Sequence, residues 1–293
     1  MRDIKAMRRW QADLVLLIIA IIWGSTFFMI KNVLPGIGPM TFVSYRFGLS
    51  AVFLLAVYFR RLRLVTKAEL VAGSLVGSCL GAGYVCQTIG LQFTSAGKAG
   101  FITGLNVVMV PVFAALLFRH RAGFVVIAGV ITATMGLGFL SLNSDLRLGQ
   151  GDLWILGCAL AFALQVIGVY HFSRRYDPTR LAVIQIAAGA VIPFIAALIF
   201  EAPLQSLPVQ ILPTFLYVSL IATALAFVLQ MKAQAYTLPT HAGLILGLES
   251  VFAAIFGWWF AGEHMSHQQI VGCVLIGAGV LIVEWPVRAV SVR

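Results

Sequence analysis

An all-α integral membrane fold, with ten transmembrane helices in two inverted five-helix repeats, is what this sequence predicts. Three observations lead to it: the composition, the spacing of the apolar runs, and a similarity between the two halves of the chain. Of the 293 residues, 61% are hydrophobic and only 10% are charged, against about 25% charged in soluble domains. A soluble protein of this size cannot hide so much apolar surface, so we expect lipid to cover it.

Ten apolar runs follow one another along the chain, and each is long enough to cross a bilayer, which takes roughly 20 residues. Short loops rich in Pro, Gly, Asn and Asp separate them and leave no room for a soluble domain. The first run has no small-residue cleavage site, so we interpret it as a retained helix and not as a signal peptide. The predicted spans are 14–34, 41–59, 70–93, 97–118, 123–142, 153–172, 181–200, 211–236, 242–261 and 270–286.

The positive charges indicate how these spans are oriented. Sixteen of the 20 Lys and Arg fall in segments that share one side if the spans alternate, and both termini lie on that side. Positively charged loops stay in the cytoplasm, so we predict cytoplasmic termini in a cell (inner) membrane. The net charge of +10 therefore reflects topology. No basic face with interleaved aromatics is present that would indicate nucleic-acid binding.

The two halves of the chain resemble each other. Residues 94–113 align with 237–256 at an interval of 143, and the same interval continues into the next predicted span. Near the start of each half, Pro39 and Pro178 correspond at an interval of 139. The matching pairs at 143 include Thr94/Thr237, Ala99/Ala242, Gly104/Gly247, Leu105/Leu248, Val108/Val251, Phe113/Phe256 and Gly136/Gly279.

This repeat divides the chain into two five-helix units, residues 1–143 and 144–293. Because five is an odd number, the second unit must enter the membrane from the opposite face. Inverted repeats of this kind are typical of secondary transporters, whose substrate site lies near the midplane between the halves.

A set of short motifs is distributed along the whole chain: Trp23-Gly24-Ser25-Thr26-Phe27, Lys31, Arg46, Thr94-Ser95-Ala96, Pro111, Thr237-Leu238-Pro239-Thr240-His241-Ala242, Leu248-Glu249 and Gly262-Glu263. With these motifs the chain resembles the drug/metabolite transporter superfamily, in particular its EamA-type ten-helix exporters. The chain departs from the family pattern at two places that bear on its subfamily and its substrate. In the first half, Arg119-His120 stands where the family often has a Gly-Glu pair. In the second half, Ser250 stands where the family often has a Pro after Leu-Glu. The resemblance implies export of small organic solutes, often amino acids, by a secondary mechanism.

Glu249 is the first candidate for a substrate ligand. It is the eighth residue of the ninth predicted span, which places it about 12 Å from the cytoplasmic end at a rise of ~1.5 Å per residue. A carboxylate at that depth is costly unless it faces a cavity or a cation. It either binds a substrate amine, carries a coupling proton, or bonds a neighbouring helix. Asn106 holds the repeat-related position and either faces the same cavity or joins two helices.

Other intramembrane polar and aromatic side chains are candidates for the cavity wall. Arg46 and Lys31 are candidates for binding an anionic group or for closing a gate by charge pairing, and Lys31 alternatively reaches the interface. Trp23 lies halfway along its span, away from the interfacial belt where most membrane tryptophans lie. The full set of cavity candidates is Glu249, Asn106, Trp23, Tyr84, Gln87, Arg46, Gln165 and Gln230.

These observations favour a secondary transporter that exports a small metabolite, such as an amino acid, by alternating access. The alternative is a membrane-embedded enzyme acting on a lipid or a peptide, which needs a nucleophile with a base or clustered carboxylates at one depth. The sequence has one deep carboxylate and no GxSxG motif, so we expect no enzyme. We expect no cofactor and no metal, and we leave open proton coupling and whether the protein is a monomer.

Overall fold

The structure, a computed structural model, describes residues 7–93, 96–118, 123–141, 149–201, 207–260 and 265–290. Regular structure in these residues is helical. The helices are α1 (Arg9–Val33), α2 (Pro39–Leu62), α3 (Lys67–Leu91), α4 (Ala96–Gly104), α5 (Asn106–Phe118), α6 (Phe124–Ser141), α7 (Gln150–Ser173), α8 (Pro178–Phe200), α9 (Leu212–Leu216), α10 (Ala226–Gln234), α11 (Pro239–Gly247), α12 (Glu249–Phe260) and α13 (His267–Val290). Short 3₁₀ turns cover Leu34–Gly36 and Val209–Ile211, and a π-helical segment covers Tyr217–Leu225.

Seven apolar helical stretches in the described part are long enough to cross a membrane, and three shorter apolar stretches lie between or after them. The chain is therefore a multi-pass membrane protein. The long stretches are Arg9–Phe27, Pro39–Leu62, Lys67–Leu91, Gln150–Ser173, Pro178–Phe200, Val209–Gln234 and Pro239–Phe260, and the shorter ones are Ile102–Leu117, Phe124–Phe139 and His267–Val283.

Local sequence explains where several helices begin. Pro39 and Pro178 occupy the first positions of α2 and α8, where the missing N–H costs nothing and the fixed φ suits a helix. The Asp177 carboxylate accepts the two following backbone N–H groups of α8 at 2.9 Å. At the start of α3, Thr66 and Glu69 form a capping box, each side chain accepting the other's backbone N–H. These caps replace hydrogen bonds that a helix end cannot make internally.

Three of the predicted spans are interrupted helices. The fourth breaks at Leu105, between α4 and α5, and the ninth breaks at Leu248, between α11 and α12. At both breaks the leucine N–H bonds the carbonyl three residues earlier, Ile102 at 3.2 Å and Ile245 at 3.1 Å. The eighth predicted span consists of α9, the π-helical segment and α10. The sequence prediction treated each as one continuous helix because the apolar runs have no gap.

Glycines allow the closest approaches between helices. α3 packs against α7 and α8, and α6 packs along α13. A Cβ added at Gly77 of α3 would lie 2.5 Å from the Gln185 carbonyl oxygen of α8, and one at Gly279 of α13 would lie 2.6 Å from the Gly129 oxygen of α6. The helix backbones are therefore in direct contact, which is how membrane helices gain packing energy without a hydrophobic drive.

Polar contacts join helix ends that lie on the same face if the spans alternate. On the face where α1 begins, Arg180 donates to the Glu69 carboxylate at 3.1 Å and so joins α8 to α3. On the opposite face, the Glu201 carboxylate at the end of α8 accepts the backbone N–H groups of Met40 and Thr41 at 2.6 and 2.8 Å. Large apolar side chains elsewhere point outward, as lipid requires.

Candidate functional site: a cavity between the interrupted helices

One cavity of about 380 Å³ lies among α1, α2, α3, α5, α7, α10, α11 and α12. On α1 its lining runs from Trp23 to the C-terminal end, and on α3 it runs from Leu80 to Leu91. It therefore reaches from the middle of the molecule toward the face where α1 ends. Its wall is mostly apolar with a few polar groups, and its volume lies within the roughly 300–1,000 Å³ usual for small-molecule sites.

The structure brings all eight cavity candidates to this one cavity. They come from seven different helices and from positions as far apart in sequence as 23 and 249, and their roles in binding stay predictions. The lining includes Trp23, Arg46, Tyr84, Gln87, Asn106, Gln165, Gln230 and Glu249.

Arg46 supplies the positive charge of the cavity. It is only 2% exposed, and its Nε donates to the Thr223 hydroxyl at 2.6 Å. One terminal nitrogen lies 3.3 Å from the Tyr84 hydroxyl, and the guanidinium carbon lies 4.9 Å from the centre of the Tyr84 ring. No described carboxylate lies within ion-pair distance of Arg46. The guanidinium is thus held by neutral groups and keeps its charge available to the cavity.

Glu249 is the acidic residue of the cavity lining. It is the first residue of α12, directly after the break at Leu248, and it lines the cavity. A carboxylate at a helix N-terminus interacts favourably with the helix dipole. No described side chain bonds or pairs with this carboxylate, and Arg46 is not within ion-pair distance of it. The cavity therefore contains one basic and one acidic side chain that form no ion pair with each other.

Asn106 holds the matching position at the other break. It is the first residue of α5, directly after Leu105, and it lines the same cavity. Its Oδ1 is enclosed and has no hydrogen-bond partner among the described residues. An enclosed amide oxygen without a partner is costly, so a donor from a ligand would stabilise it.

Trp23, Gln165 and Gln230 are fixed by hydrogen bonds. The Trp23 indole N–H donates to the Ala222 carbonyl at 2.8 Å, and its ring lies 5.1 Å from that of Phe227. Gln165 donates to the Gln185 and Gln230 side-chain oxygens at 3.2 and 3.3 Å. Since these side chains are held by protein partners, they form a rigid part of the wall.

Four further residues are assigned to the site by the sequence prediction or by the structure, but not by both. The side chain of Lys31 lies outside the described residues, so its role as a gate or charge pair stays a prediction. Sequence reasoning missed Thr26 and Phe162, which line the cavity, and Thr223, which bonds Arg46. The interval of 139 residues could have found all three, because it relates them to Gln165, Trp23 and Tyr84.

The family of the chain follows from its similarity to known proteins. A model described as the EamA-like transporter family matches the chain twice, over residues 10–142 and 149–285. The chain belongs to the EamA-like transporter family. It is accordingly a transporter of the drug/metabolite transporter superfamily and not an enzyme.

Relatives of this EamA-like transporter span nearly its whole length. It is 33% identical to an uncharacterized transporter of Archaeoglobus fulgidus, with 96% of this chain and 88% of that protein covered. It is 27% identical to the threonine/homoserine exporter RhtA of Salmonella typhimurium, with 92% and 90% covered. A protein of known crystal structure superposes with a TM-score of 0.80 over 96% of this chain and 99% of that chain. At 16% identity, that likeness concerns the fold alone.

Proposed function

We propose that this EamA-like transporter exports a small zwitterionic solute, an amino acid, by alternating access through the cavity. The observation that carries the proposal is the pair of charges described above: Arg46 and Glu249 line one mostly apolar cavity and neither is neutralised by a described partner. Charges inside a membrane are costly. A substrate with a carboxylate and an ammonium group would compensate both at once.

Charge placement also favours the amino-acid class over simpler ions. A free amine would leave Arg46 without a counter-ion, and a free carboxylate would leave Glu249 without one. The apolar remainder of the wall suits a small side chain. The exporter RhtA, to which the chain is 27% identical, is named for threonine and homoserine, and threonine is therefore the first probe.

Two inverted halves, residues 1–143 and 144–293, would build this cavity at their interface. At the interval of 139 residues that separates the first residues of α2 and α8, Trp23 corresponds to Phe162 and Thr26 to Gln165, and all four line the cavity. At 143, the two helix breaks correspond. Discontinuous helices at a repeat interface are a common architecture for transporter sites.

The cavity's charges break this symmetry. Arg46 corresponds to Gln185 at 139, and Glu249 corresponds to Asn106 at 143. Each half would thus contribute one charged residue, while its counterpart in the other half is a neutral amide. Such an arrangement gives the cavity one basic and one acidic side chain, which suits a substrate that has both a carboxylate and an ammonium group.

The ten spans, with both termini in the cytoplasm of a cell (inner) membrane, would make the cavity extend toward the outside. On the cytoplasmic face, an Arg9 terminal nitrogen lies 2.6 Å from His241 Nδ1 and joins the start of α1 to the start of α11. Alternating access would require this contact to open in the inward-facing state while the outer ends of α1 and α3 approach each other. Rocking of one half against the other would produce both changes.

The test is counterflow in proteoliposomes that contain the purified protein. Labelled threonine should accumulate against unlabelled internal threonine, while an amine and a nucleoside supplied internally should not drive accumulation. Glu249→Gln should raise the KM for threonine at least about tenfold, since a charge-assisted hydrogen bond contributes roughly 1.5–3 kcal/mol. Glu201→Gln, a glutamate outside the cavity, is the matched control and should leave the KM close to that of the wild type.

The outcome also decides the role of Glu249. If the carboxylate binds the ammonium group, exchange without a proton gradient depends on it. If it carries a proton, Glu249→Gln should retain exchange but lose accumulation driven by a pH gradient. A variant with unchanged KM and unchanged pH dependence would rule out both roles.

A further inference from the structure

The π-helical segment Tyr217–Leu225 lies against the two helices that carry Trp23 and Arg46. Four hydrogen bonds join it to them. The Trp23 indole donates to the Ala222 carbonyl, Ser50 donates to the Ser219 carbonyl at 2.7 Å, and the hydroxyls of Ser25 and Tyr217 lie 2.8 Å apart. The fourth bond runs from Arg46 Nε to Thr223.

The Thr223 hydroxyl of this segment makes two hydrogen bonds. Its hydrogen is donated to the Val218 carbonyl, five residues earlier, at 2.8 Å. The hydroxyl has one hydrogen and donates it within its own segment, so toward Arg46 it can act only as an acceptor. The Nε–H of Arg46, which can only donate, is the matching partner. The residue is fully buried and outside the cavity lining.

The hydrogen bond to Thr223 therefore holds Arg46 at Nε, the guanidinium nitrogen nearest its side-chain stem. A guanidinium has five N–H donors in a planar fork. The Nε–H donates to Thr223, and one terminal nitrogen donates to the Tyr84 hydroxyl. The other terminal nitrogen has no hydrogen-bond partner among the described residues. Arg46 lines the cavity, so the outer edge of the fork is the part that remains for a ligand.

We infer that Thr223 is a positioning residue that determines specificity for the substrate carboxylate, by holding Arg46 with its terminal N–H groups toward the cavity. This inference rests on the proposed transport of an amino acid. Carboxylate recognition by arginine is bidentate and depends on the orientation of the fork. Loss of the Thr223 acceptor would free the side chain to rotate on its long stem and would leave its buried Nε–H without a partner.

The experiment compares substrates with and without a carboxylate. Threonine transport is measured in proteoliposomes, and 1-amino-2-propanol, which is threonine without its carboxyl group, is measured as a competitor. Thr223→Val keeps the shape but removes the acceptor, and we expect the KM for threonine to rise about tenfold. The inhibition constant of 1-amino-2-propanol should change less than about twofold, because this amine does not use Arg46. Thr223→Ser restores the acceptor and should restore the KM.

Two further variants keep the result interpretable. Thr223→Cys has the size of serine with a weak sulfur acceptor, so it should behave like Thr223→Val even if the valine variant does not fold. Thr132→Val is the matched control: its hydroxyl donates only to the Ala128 carbonyl of its own helix, at 2.8 Å, and it lies outside the cavity lining. Its KM should be that of the wild type.

Failure of the inference and failure of the proposed function give different results. Equal weakening of threonine and 1-amino-2-propanol by Thr223→Val or Thr223→Cys would mean general damage to the cavity and would overturn the positioning role alone. An unchanged KM in both variants would also overturn it, with transport intact. Absence of threonine and other amino-acid transport by the wild-type protein would overturn the proposed function and this inference together.

Discussion

Two glutamates show how hydrogen bonding separates a structural residue from a functional candidate. Glu201, at the end of α8, bonds the N-terminus of α2, and Glu249 is the first residue of α12. Glu201 gives both oxygens to the start of α2: Oε1 accepts from the Met40 N–H, and Oε2 accepts from the Thr41 N–H and from the Thr41 hydroxyl at 2.6 Å. Glu249 begins α12 and has no bonded partner among the described side chains. Glu201 is therefore satisfied by the fold, and Glu249 is left for a ligand or a proton.

Removal of the Glu201 carboxylate should destabilise the fold and leave substrate recognition unchanged. Glu201→Ala takes the cap from α2, and we expect a loss of about 1–2 kcal/mol, the usual effect of losing a helix N-cap. The thermal unfolding midpoint of the protein in detergent should fall, while the KM for threonine stays the same. The Glu201→Gln variant keeps one acceptor oxygen, so its thermal unfolding midpoint should fall less. Equal midpoints for the alanine variant and the wild type would contradict the capping role.

At the scale of the helix, continuity of an apolar run does not imply continuity of hydrogen bonding. Hydropathy reports only which side chains tolerate lipid, so it cannot detect the breaks at Leu105 and Leu248 or the π-helical segment. The breaks place Asn106 and Glu249 at helix starts that line the cavity. The π-helical segment carries Thr223, whose hydroxyl donates to the Val218 carbonyl and accepts from Arg46.

Contact between α6 and α13 depends on glycine at particular positions. At Gly279, a Cβ would lie 2.6 Å from the Gly129 oxygen and 2.8 Å from the Ala133 nitrogen, which are backbone atoms that cannot move aside easily. At Gly277 of the same helix, no atom lies within 4 Å of the added Cβ. Gly279→Val should therefore separate the helices at a cost of about 3 kcal/mol or more.

Gly277→Val is the control for that prediction, since it adds the same side chain to the same helix in open space. The measurement is the fraction of protein that elutes as a single species from size exclusion after heating in detergent. Gly279→Val should lose this fraction at a lower temperature than Gly277→Val. The same temperature for both variants would show that helix contact does not limit stability.

For the whole molecule, alternation of the spans predicts which loops face the cytoplasm. Leu64, which is 70% exposed, lies in the same set of loops as the positively charged segments, and Gln210 lies in the opposite set. In a variant whose four cysteines, Cys79, Cys86, Cys158 and Cys273, are replaced by alanine, an impermeant maleimide should label Gln210→Cys in intact cells. Leu64→Cys should be labelled only after permeabilisation. The reverse pattern would contradict cytoplasmic termini.

The sequence by itself determined the class of protein, its family resemblance and the candidates for its cavity. Composition, charge distribution and a fixed repeat interval are properties of the linear chain, and the cost of intramembrane polarity singled out Arg46, Glu249 and Asn106. The sequence did not predict Thr223, because a threonine inside a membrane helix is not unusual in composition. The role that we propose for it depends on a bond to a residue 177 positions away.

Only the tertiary structure decided which of these groups meet and which remain without partners. Pairing depends on distances between separate helices. Glu201 bonds the start of α2 and Glu69 bonds Arg180, whereas Arg46 and Glu249 line one cavity without an ion-pair partner among the described residues. Local hydrogen bonding decided the rest, because a helix break or a π-helical turn shifts a few backbone bonds without changing the apolar pattern that the sequence displays.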